Sequence, residues 1–498
     1  MDNSFSPVIK RCRKILRSLV LSGAWLYQKT LGHANNSASS GTLSITDSRT
    51  GRNYTIPIRN NAVKALDFIQ ITTAGFGAEV ADHYDNSLRV LDKGLWNTAV
   101  TETSITYIDG KAGHMQYRDK TIDELFHNNN NYEEVVHLII WGTLPTQEQK
   151  MNLRRKLASH MKPPPAVENA IKAFAPDGLT HPMLLAGIAA FVAHDKGSQA
   201  VHTSSKPAYL GNMEDVDDAI IRTLAALATT VAMVYCYRRG RPFTQASPDE
   251  SYIGNILLMM GLTEEGSSTT PNRKIEHCLE RLWVLNADHG MTNSTAVFLA
   301  TASTLQDPLS CTVAAVASAY GPLHGGAVEM AYKEFERVQC VENVPQHIAD
   351  VKAKKYRLFG YGHRIYKVKD PRGQLVRQLI EEYKEDVYKN SFLRVAMEID
   401  RVAEEDSYFT SRNLKANADL YGCFLYTALF VNALFLLPTR TDSMIRDIET
   451  DTILSLSCLS RSPGVMAHWR ESMAQSPAIW RPQHIFTGTI AKESNYKV

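Results

Sequence analysis

Three histidines of this 498-residue chain lie in glycine-containing segments that suit a reactive site. His289 lies in ADHG, His324 in GPLHGG and His363 in GYGHR. Glycine lets a backbone approach a ligand closely, and functional side chains are concentrated on loops. Three such segments therefore indicate a polar site for a small molecule. The alternative, for any one of the 16 histidines, is an ordinary core or surface residue.

His324 carries the most specific signal. It is followed by Gly325-Gly326 and then by AVEMAYKEFER, whose apolar spacing predicts a helix. The imidazole should therefore lie near a helix N-terminus, where the positive end of the helix dipole disfavours a cation. A neutral imidazole there can donate an N–H to an oxygen that gains charge. The alternative is a glycine hinge with an incidental histidine.

The segment at 360–373, GYGHRIYKVKDPRG, concentrates positive charge in a stretch that its glycines and proline predict to be a loop. Such a loop suits a carboxylate or a phosphate, and arginine adds bidentate geometry. The alternative is a solvated basic loop. Alone, Asp419 in NADLYG predicts a helix cap, and Arg461 and Arg481 are uninformative.

The composition excludes several classes of protein. The chain is 44% hydrophobic and 21% charged, which is typical of a globular protein. The net charge of +2 gives no strong field toward nucleic acid or a membrane, so we expect neither nucleic-acid binding nor stable membrane insertion. The seven cysteines form no CxxC pair, which argues against a disulfide framework or a zinc ribbon. No metal-binding motif is present, and we expect no metal and no cofactor.

The chain divides into three kinds of sequence. Residues 1–41 form a basic N-terminal extension, without an acidic residue from Asn3 to Thr46, that is typical of a mitochondrial targeting segment. The alternative is a disordered tail on a cytoplasmic protein. Residues 42–118 contain short β-like runs with a turn at Asp109-Gly110. From Ile122 onward the pattern is helical, with breaks at 163–165 and 267–271. Phe424 to Leu437 is apolar but too short to span a bilayer, so it predicts a core helix.

Together these segments resemble the citrate synthase family. The resemblance runs from about Thr42 to Gly488 and is carried, in order, by ITYIDG, LPTQEQ, ADH with NST, GPLHGG, GYGHRIYK, DPR, NADLYG and AHW. It implies a mainly α fold with a large and a small helical domain and a short N-terminal β region. The large domain would comprise 42–325 and 423–498, with its small β region at 42–118, and the small domain 326–422. Gly325-Gly326 and Gly422 would be hinges.

The resemblance implies a reaction and a role for each residue. The family condenses oxaloacetate with an acyl-CoA and hydrolyses the product thioester, with coenzyme A as substrate carrier. His324 would stabilise the thioester enolate, His363 would polarise the oxaloacetate ketone, and Asp419 would be the base. Oxaloacetate would be held by His289, His363, Arg372, Arg461 and Arg481, the last supplied by the partner subunit of a homodimer.

Three departures from the family pattern concern the acyl donor. Gly290-Met291-Thr292 follows the ADH motif, where relatives commonly carry Glu and then Gln or Gly. Val328 replaces an asparagine, and Ser457 replaces a phenylalanine. Ser457 and Val328 are therefore predicted to line a larger acyl-chain pocket. The sequence favours an alkylcitrate synthase of the kind found in fungal specialised metabolism. The alternatives are a housekeeping citrate or 2-methylcitrate synthase and, in another class, a non-catalytic oligomeric paralogue.

Overall fold

The computed structural model describes residues 39–73, 87–432, 442–476 and 478–488. The predicted N-terminal extension therefore lies outside the described residues, apart from its last three positions. The chain divides into two compact units, Met1–Glu102 and Thr103–Val498.

The first unit contains an antiparallel hairpin of two strands, β1 (Gly41–Asp47) and β2 (Arg52–Ile58). Gly41 pairs with Ile58 and Asp47 with Arg52. Gly51 completes the turn at φ +70°, a value that favours glycine. A short 3₁₀ helix follows at Ala65–Gln70.

The second unit begins with a three-stranded antiparallel sheet, in the order β3 (Thr106–Asp109), β4 (His114–Tyr117) and β5 (Lys120–Thr121). The predicted turn after Asp109 is confirmed, and the Asp109 carboxylate accepts hydrogen bonds from two backbone N–H groups of that turn. The β region predicted at 42–118 is thus divided between the two units. The boundaries predicted between the large and the small helical domain, at 325 and 423, stay predictions.

Helices make up the rest of the second unit and confirm the predicted mainly α class. They are α1 (Ile122–His127), α2 (Tyr132–Trp141), α3 (Gln147–His160), α4 (Pro165–Lys172), α5 (Thr180–Val192), α6 (Lys196–Thr203), α7 (Met213–Arg239), α8 (Tyr252–Met259), α9 (Arg273–Asn286), α10 (Asn293–Ala302), α11 (Pro308–Ala319), α12 (Ala327–Val338), α13 (Val344–Lys352), α14 (Pro371–Glu382), α15 (Lys384–Val387), α16 (Phe392–Glu405), α17 (Ser407–Thr410), α18 (Asp419–Asn432) and α19 (Asp442–Met473). The break predicted at 163–165 ends at the first residue of α4, and the break at 267–271 lies between α8 and α9.

Helix α7 is the centre of the core. Its 27 residues include an 18-residue window of mean hydropathy 1.7, enough by length and composition to cross a membrane. In the structure 94% of that window is buried inside the protein. The Gly211 N–H donates to the Met473 carbonyl, and Arg238 pairs with Asp451. These contacts join opposite ends of the two helices, so α7 runs antiparallel to α19.

Side-chain caps fix where the helices around the site begin. The Asp307 carboxylate accepts the Ser310 N–H at the start of α11, and Asp370 accepts the Arg372 N–H at the start of α14. In both cases proline is the first helical residue, as its fixed φ favours. The loop predicted at 360–373 therefore ends at Asp370, and Arg372 lies in the first turn of a helix.

The apolar run predicted as a core helix corresponds to α18. Helix α18 spans Asp419–Asn432, and the run from Phe424 to Ala428 is buried. Residues 433–437 lie outside the described residues. The predicted burial is confirmed for Phe424 to Ala428.

Candidate active site

One cavity of about 260 Å³ in the second unit gathers most of the residues that the sequence singled out. Its walls come from several separate segments of the chain, most of them helical. They include His289, His324, His363, Arg372, Asp419, Arg461, Val328 and Ser457. Arg481 is exposed and does not line the cavity. Residues that are up to 172 positions apart in the sequence thus share one chamber.

His324 lies three residues before α12, as predicted, and is held by the start of a different helix. Its Nε2 accepts the Ser294 backbone N–H at 3.2 Å and contacts the Ser294 hydroxyl at 2.9 Å. A backbone N–H can only donate, so the ring proton of the neutral form must reside on Nδ1. Burial, together with the charge of Arg461, lowers the pKa of His324 to about 4. His324 is therefore a neutral donor at physiological pH.

His363 carries its proton on the opposite nitrogen. Its Nδ1 accepts the backbone N–H groups of Ile365 at 3.0 Å and Tyr366 at 3.2 Å. The neutral ring therefore keeps its proton on Nε2. Burial and the neighbouring Arg372 lower the pKa of His363 to about 4. Gly362, with φ at +80°, provides the backbone turn that aims this ring.

His289 lies beside His363 and is almost fully buried. The two ring centroids are 5.3 Å apart, and His289 Nε2 is 3.2 Å from the Tyr366 hydroxyl. Burial lowers the pKa of His289 well below its ordinary value, and the charges of Arg372 and Arg461 lower it further. All three histidines of the cavity are therefore neutral near pH 7.

Arg372 is held in place by the residue that caps its own helix. Its Nε and Nη2 donate to the two oxygens of Asp370 at 3.0 and 2.7 Å. Burial opposes the charge on Arg372, but Asp370 outweighs it and the pKa of Arg372 lies above its usual range. Among the described residues Nη1 has no hydrogen-bond partner, so it remains available to an anion in the cavity.

Arg461 presents more of its guanidinium to the cavity. Its Nε donates to the Asn286 carbonyl at 2.6 Å, where α9 ends. Within the described part of the chain neither terminal nitrogen has a hydrogen-bond partner. Burial lowers the pKa of Arg461, although not enough to discharge a group that stays protonated in proteins. Two terminal N–H groups in a fork are the geometry that binds a carboxylate.

Asp419 is the first residue of α18. Its backbone N–H donates to the Asn417 side chain at 3.0 Å, so Asn417 is the capping residue and the Asp419 carboxylate is left for other uses. No described residue donates a hydrogen bond to that carboxylate. Burial raises the pKa of Asp419, and the charges of Arg372 and Arg461 reverse only part of the effect. The ionised carboxylate is therefore a stronger base than aspartate in water.

Asp288, which precedes His289, anchors the histidine loop to the rest of the unit. Its Oδ2 accepts from the Thr106 hydroxyl and the Gly290 N–H, at 2.5 and 2.9 Å, and lies 3.2 Å from His468 Nε2. Burial would raise the pKa of Asp288, but His468 outweighs it and the pKa is lowered. A Cβ on Gly464 would lie 2.3 Å from Asp288 Oδ1, so only glycine fits there. No sequence pattern predicted this anchor.

Ser457 and Val328, the predicted acyl-pocket residues, both line the cavity. Ser457 Oγ donates to the Ile453 carbonyl at 2.9 Å, within α19. Ser457 is also a hydroxyl neighbour of Tyr426, whose own hydroxyl accepts from Trp283 Nε1 at 3.0 Å. A tyrosine from α18 therefore occupies part of the space beside Ser457.

The cavity has the elements of carbon-acid chemistry. A base, two N–H donors of opposite tautomer and two guanidinium groups face one chamber. Within the described ranges, no group of three His, Cys, Asp or Glu side chains is arranged to hold a metal ion. The arrangement suits proton removal next to a carbonyl group in a substrate bound beside a carboxylate-bearing partner.

Comparison with known sequences and structures gives consistent matches. The family model "Citrate synthase, C-terminal domain" matches residues 94–440. The chain is 45% identical over 450 residues to a citrate synthase-like protein, oryE, of Aspergillus oryzae, covering 90% of this chain and 96% of that protein. It is 34% identical over 464 residues to the alkylcitrate synthase phiJ of a fungal species, covering 93% and 97%.

Solved structures share the fold. The citrate synthase of Thermoplasma acidophilum, solved in a ternary complex with carboxymethyl coenzyme A and oxaloacetate, matches with a TM-score of 0.69 and 23% identity. The match covers 81% of this chain and 98% of that one. The citrate synthase of Thermotoga maritima matches with a TM-score of 0.64 and 25% identity, covering 81% and 98%. The helical architecture, the extent of the family model and the full-length relatives together establish that this chain belongs to the citrate synthase family.

Proposed function

We propose that this protein is an alkylcitrate synthase, which condenses oxaloacetate with an acyl-CoA and water to give a 2-alkylcitrate and free coenzyme A. The observation that carries the proposal is the cavity itself. It places a carboxylate of raised pKa, two neutral histidine donors and two arginines with unpartnered N–H groups in one chamber. Family membership and full-length similarity to alkylcitrate synthases support the same reaction.

The first step is removal of a proton from the carbon next to the thioester carbonyl. Asp419 takes the proton, and the Nδ1–H of His324 donates to the thioester oxygen as that oxygen gains charge. The Ser294 N–H on Nε2 fixes the tautomer that makes this donation possible. Because His324 is already neutral, it stabilises the oxyanion without first losing a proton.

The second step forms the carbon–carbon bond. The enolate carbon attacks the ketone carbon of oxaloacetate, and the electrons of the C=O π bond move onto the ketone oxygen, which is held by the Nε2–H of His363. That oxygen takes up one proton to become the product hydroxyl, and the loss of the proton held by Asp419 balances the step. Arg372, Arg461 and His289 would hold the oxaloacetate dianion, which fixes the face of the ketone that is attacked. Water then hydrolyses the product thioester, releasing coenzyme A as the thiol and leaving the new carboxylate.

Coenzyme A is a substrate carrier here and would be held near the basic segment that carries Lys367 and Lys369.

The assembly of the site extends the proposal to two subunits. Arg481 is exposed, and its segment is fixed by the Trp480 N–H, which donates to the Ser303 hydroxyl at 3.0 Å. An exposed arginine on such a segment is available to the cavity of a second copy. We infer a homodimer in which Arg481 acts on the partner's oxaloacetate.

The runner-up function is a housekeeping citrate or 2-methylcitrate synthase, which uses the same cavity with a short donor. Steady-state thiol release should be measured with oxaloacetate and acetyl-, propionyl-, hexanoyl-, octanoyl- and decanoyl-CoA. The proposal expects the highest kcat/KM with one of the three longest donors. A maximum with acetyl- or propionyl-CoA would favour the runner-up. If none of the five donors gives thiol release, a non-catalytic paralogue is favoured.

A further inference from the structure

The cavity continues beyond its charged centre into a region with apolar walls. We call this region the apolar lobe and define it by six lining residues from four helices, each no more than 7% exposed. They are Leu227 of α7, Phe298 of α10, Thr312, Ala315 and Val316 of α11, and Met466 of α19. None of the six was singled out by the sequence.

One contact between α11 and α19, and the spacing of lining residues along each helix, indicate how much of each helix borders the cavity. The Tyr320 hydroxyl lies 2.8 Å from Ser455 Oγ, so the C-terminal end of α11 lies beside the Leu454 end of the cavity. Thr312 lies eight residues earlier, about 12 Å away along the helix. Met466 lies twelve residues after Leu454 on α19, about 18 Å away. All six residues that define the lobe are buried, so it lies between helices rather than in a surface groove.

The polar groups in this part of the cavity are already satisfied. The Thr312 hydroxyl donates to the Pro308 carbonyl at 2.7 Å, and the Ser462 hydroxyl donates to the Leu459 carbonyl at 2.8 Å. The six residues that define the lobe carry no charge. The Ser457 end of the cavity is more polar, because it holds the hydroxyl groups of Tyr426, Ser457 and Ser460 together. An alkyl chain that enters the lobe therefore meets mainly carbon and desolvates no polar group that lacks a partner.

His324, which would hold the thioester, contacts the helix that carries Phe298 of the lobe. His324 is bonded to Ser294, and Phe298 lies one turn further along the same helix, on the same face. The thioester oxygen would bind the Nδ1–H of the same ring, and His324 lines the same cavity as the six lobe residues.

We propose that the apolar lobe receives the alkyl tail of the acyl-CoA, and that Ala315 and Phe298 set the chain length that fits. This inference rests on the proposed function and names the part of the site that selects the donor. Each methylene that enters the lobe leaves water and gains contacts, so longer donors bind better until the lobe is full. Ala315 leaves room for the chain beside the middle of α11, and the Phe298 ring on α10 limits the width of the lobe.

The test compares donor preference in narrowed and widened lobes. Ala315→Leu adds bulk at a position where leucine is compatible with a helix. We expect the ratio of kcat/KM for octanoyl-CoA to that for propionyl-CoA to fall at least about tenfold. Phe298→Leu should raise the ratio of decanoyl-CoA to hexanoyl-CoA. Ala317→Leu, an exposed position of the same helix, is the matched control and should keep the wild-type ratios. Circular dichroism and gel filtration check that each variant is folded and assembled.

Each outcome decides whether the apolar lobe receives the alkyl tail. Unchanged ratios in a folded Ala315→Leu variant overturn the inference, as does an equal fall in Ala317→Leu. If Ser457→Phe changes the kcat/KM ratios and the lobe variants do not, the alkyl tail lies at the Ser457 end of the cavity. That result also overturns the inference. If Ala315→Leu does not fold, Phe298→Leu decides alone, and unchanged ratios refute the inference. If the wild type releases no thiol with any donor, the proposed function fails, and the inference fails with it for that distinguishable reason.

Discussion

Replacing Asp419 by asparagine removes the proposed base and keeps the size of the side chain. The loss should be large because the cavity offers no substitute among its described residues. The unprotonated nitrogens of His324 and His363 already accept backbone N–H bonds, and both groups have a pKa of about 4. A positioned general base contributes about 10²- to 10⁴-fold, or about 3–5 kcal/mol of barrier. We therefore expect turnover of Asp419→Asn to fall at least about 10²-fold.

The same substitution should not destabilise the fold. Burial raises the pKa of Asp419, so the folded protein binds this proton more tightly than the unfolded chain does. Above that pKa the ionised carboxylate therefore lowers the free energy of unfolding. Asparagine carries no charge to desolvate, so the thermal midpoint of the variant at pH 8 should equal or exceed that of the wild type.

The assay pairs thiol release with thermal unfolding on the same preparations. Asp350→Asn is the matched control, since Asp350 lies outside the cavity and pairs with the exposed Lys355. The control should turn over within about twofold of the wild type. Turnover of a folded Asp419→Asn variant within tenfold of the wild type would refute the assignment of the base. A markedly lower thermal midpoint would refute the account of its environment.

Three further predictions concern the histidines, the oxaloacetate site and the assembly. The unfolded chain takes up protons at His324 and His363 near pH 6.5, and the folded chain only near pH 4, so the free energy of unfolding should fall as pH drops through that window. The urea midpoint should depend less on pH in His324→Gln than in the wild type. An equal dependence would contradict the lowered pKa of His324. Arg461→Gln should raise KM for oxaloacetate about 10- to 10²-fold, from the loss of charged hydrogen bonds, and an unchanged KM would exclude Arg461 from that site. Mixed Arg481→Ala and Asp419→Asn subunits should regain thiol release that neither parent shows, whereas inactive verified hybrids would mean that one chain builds each site.

The sequence predicted the residues of the site better than their local structure. The segments around His289, His324 and His363 each contain a glycine motif, and the family resemblance indicated Asp419 and Arg461. The fold brings all five side chains to one cavity. Glycine-flanked histidines are visible in sequence because the glycines are needed locally. The family assignment and the mainly α class are likewise confirmed, since both depend on patterns that persist along the chain.

One error was local, and the omissions came from long-range structure. Arg372 was predicted in a loop because Gly373 and the basic run obscured the Asp370-Pro371 helix start. Ser294 was not singled out, because the nitrogen of His324 that it contacts depends on how two helices meet. The apolar lobe was missed for a similar reason. Its residues lie on buried helix faces, where sequence periodicity indicates burial and does not distinguish a packed wall from a cavity wall.

The Asp288 anchor has a consequence for folding. It joins the histidine loop to Thr106 and His468, which are 182 and 180 positions away along the chain. Contacts of such sequence separation form late, because the entropy of closing a long loop must be overcome before the contact stabilises anything. The helices on either side depend mainly on local contacts. During refolding from denaturant, the far-ultraviolet helical signal should therefore recover before the ability to bind oxaloacetate, and weakening the anchor with Thr106→Val should lengthen that delay.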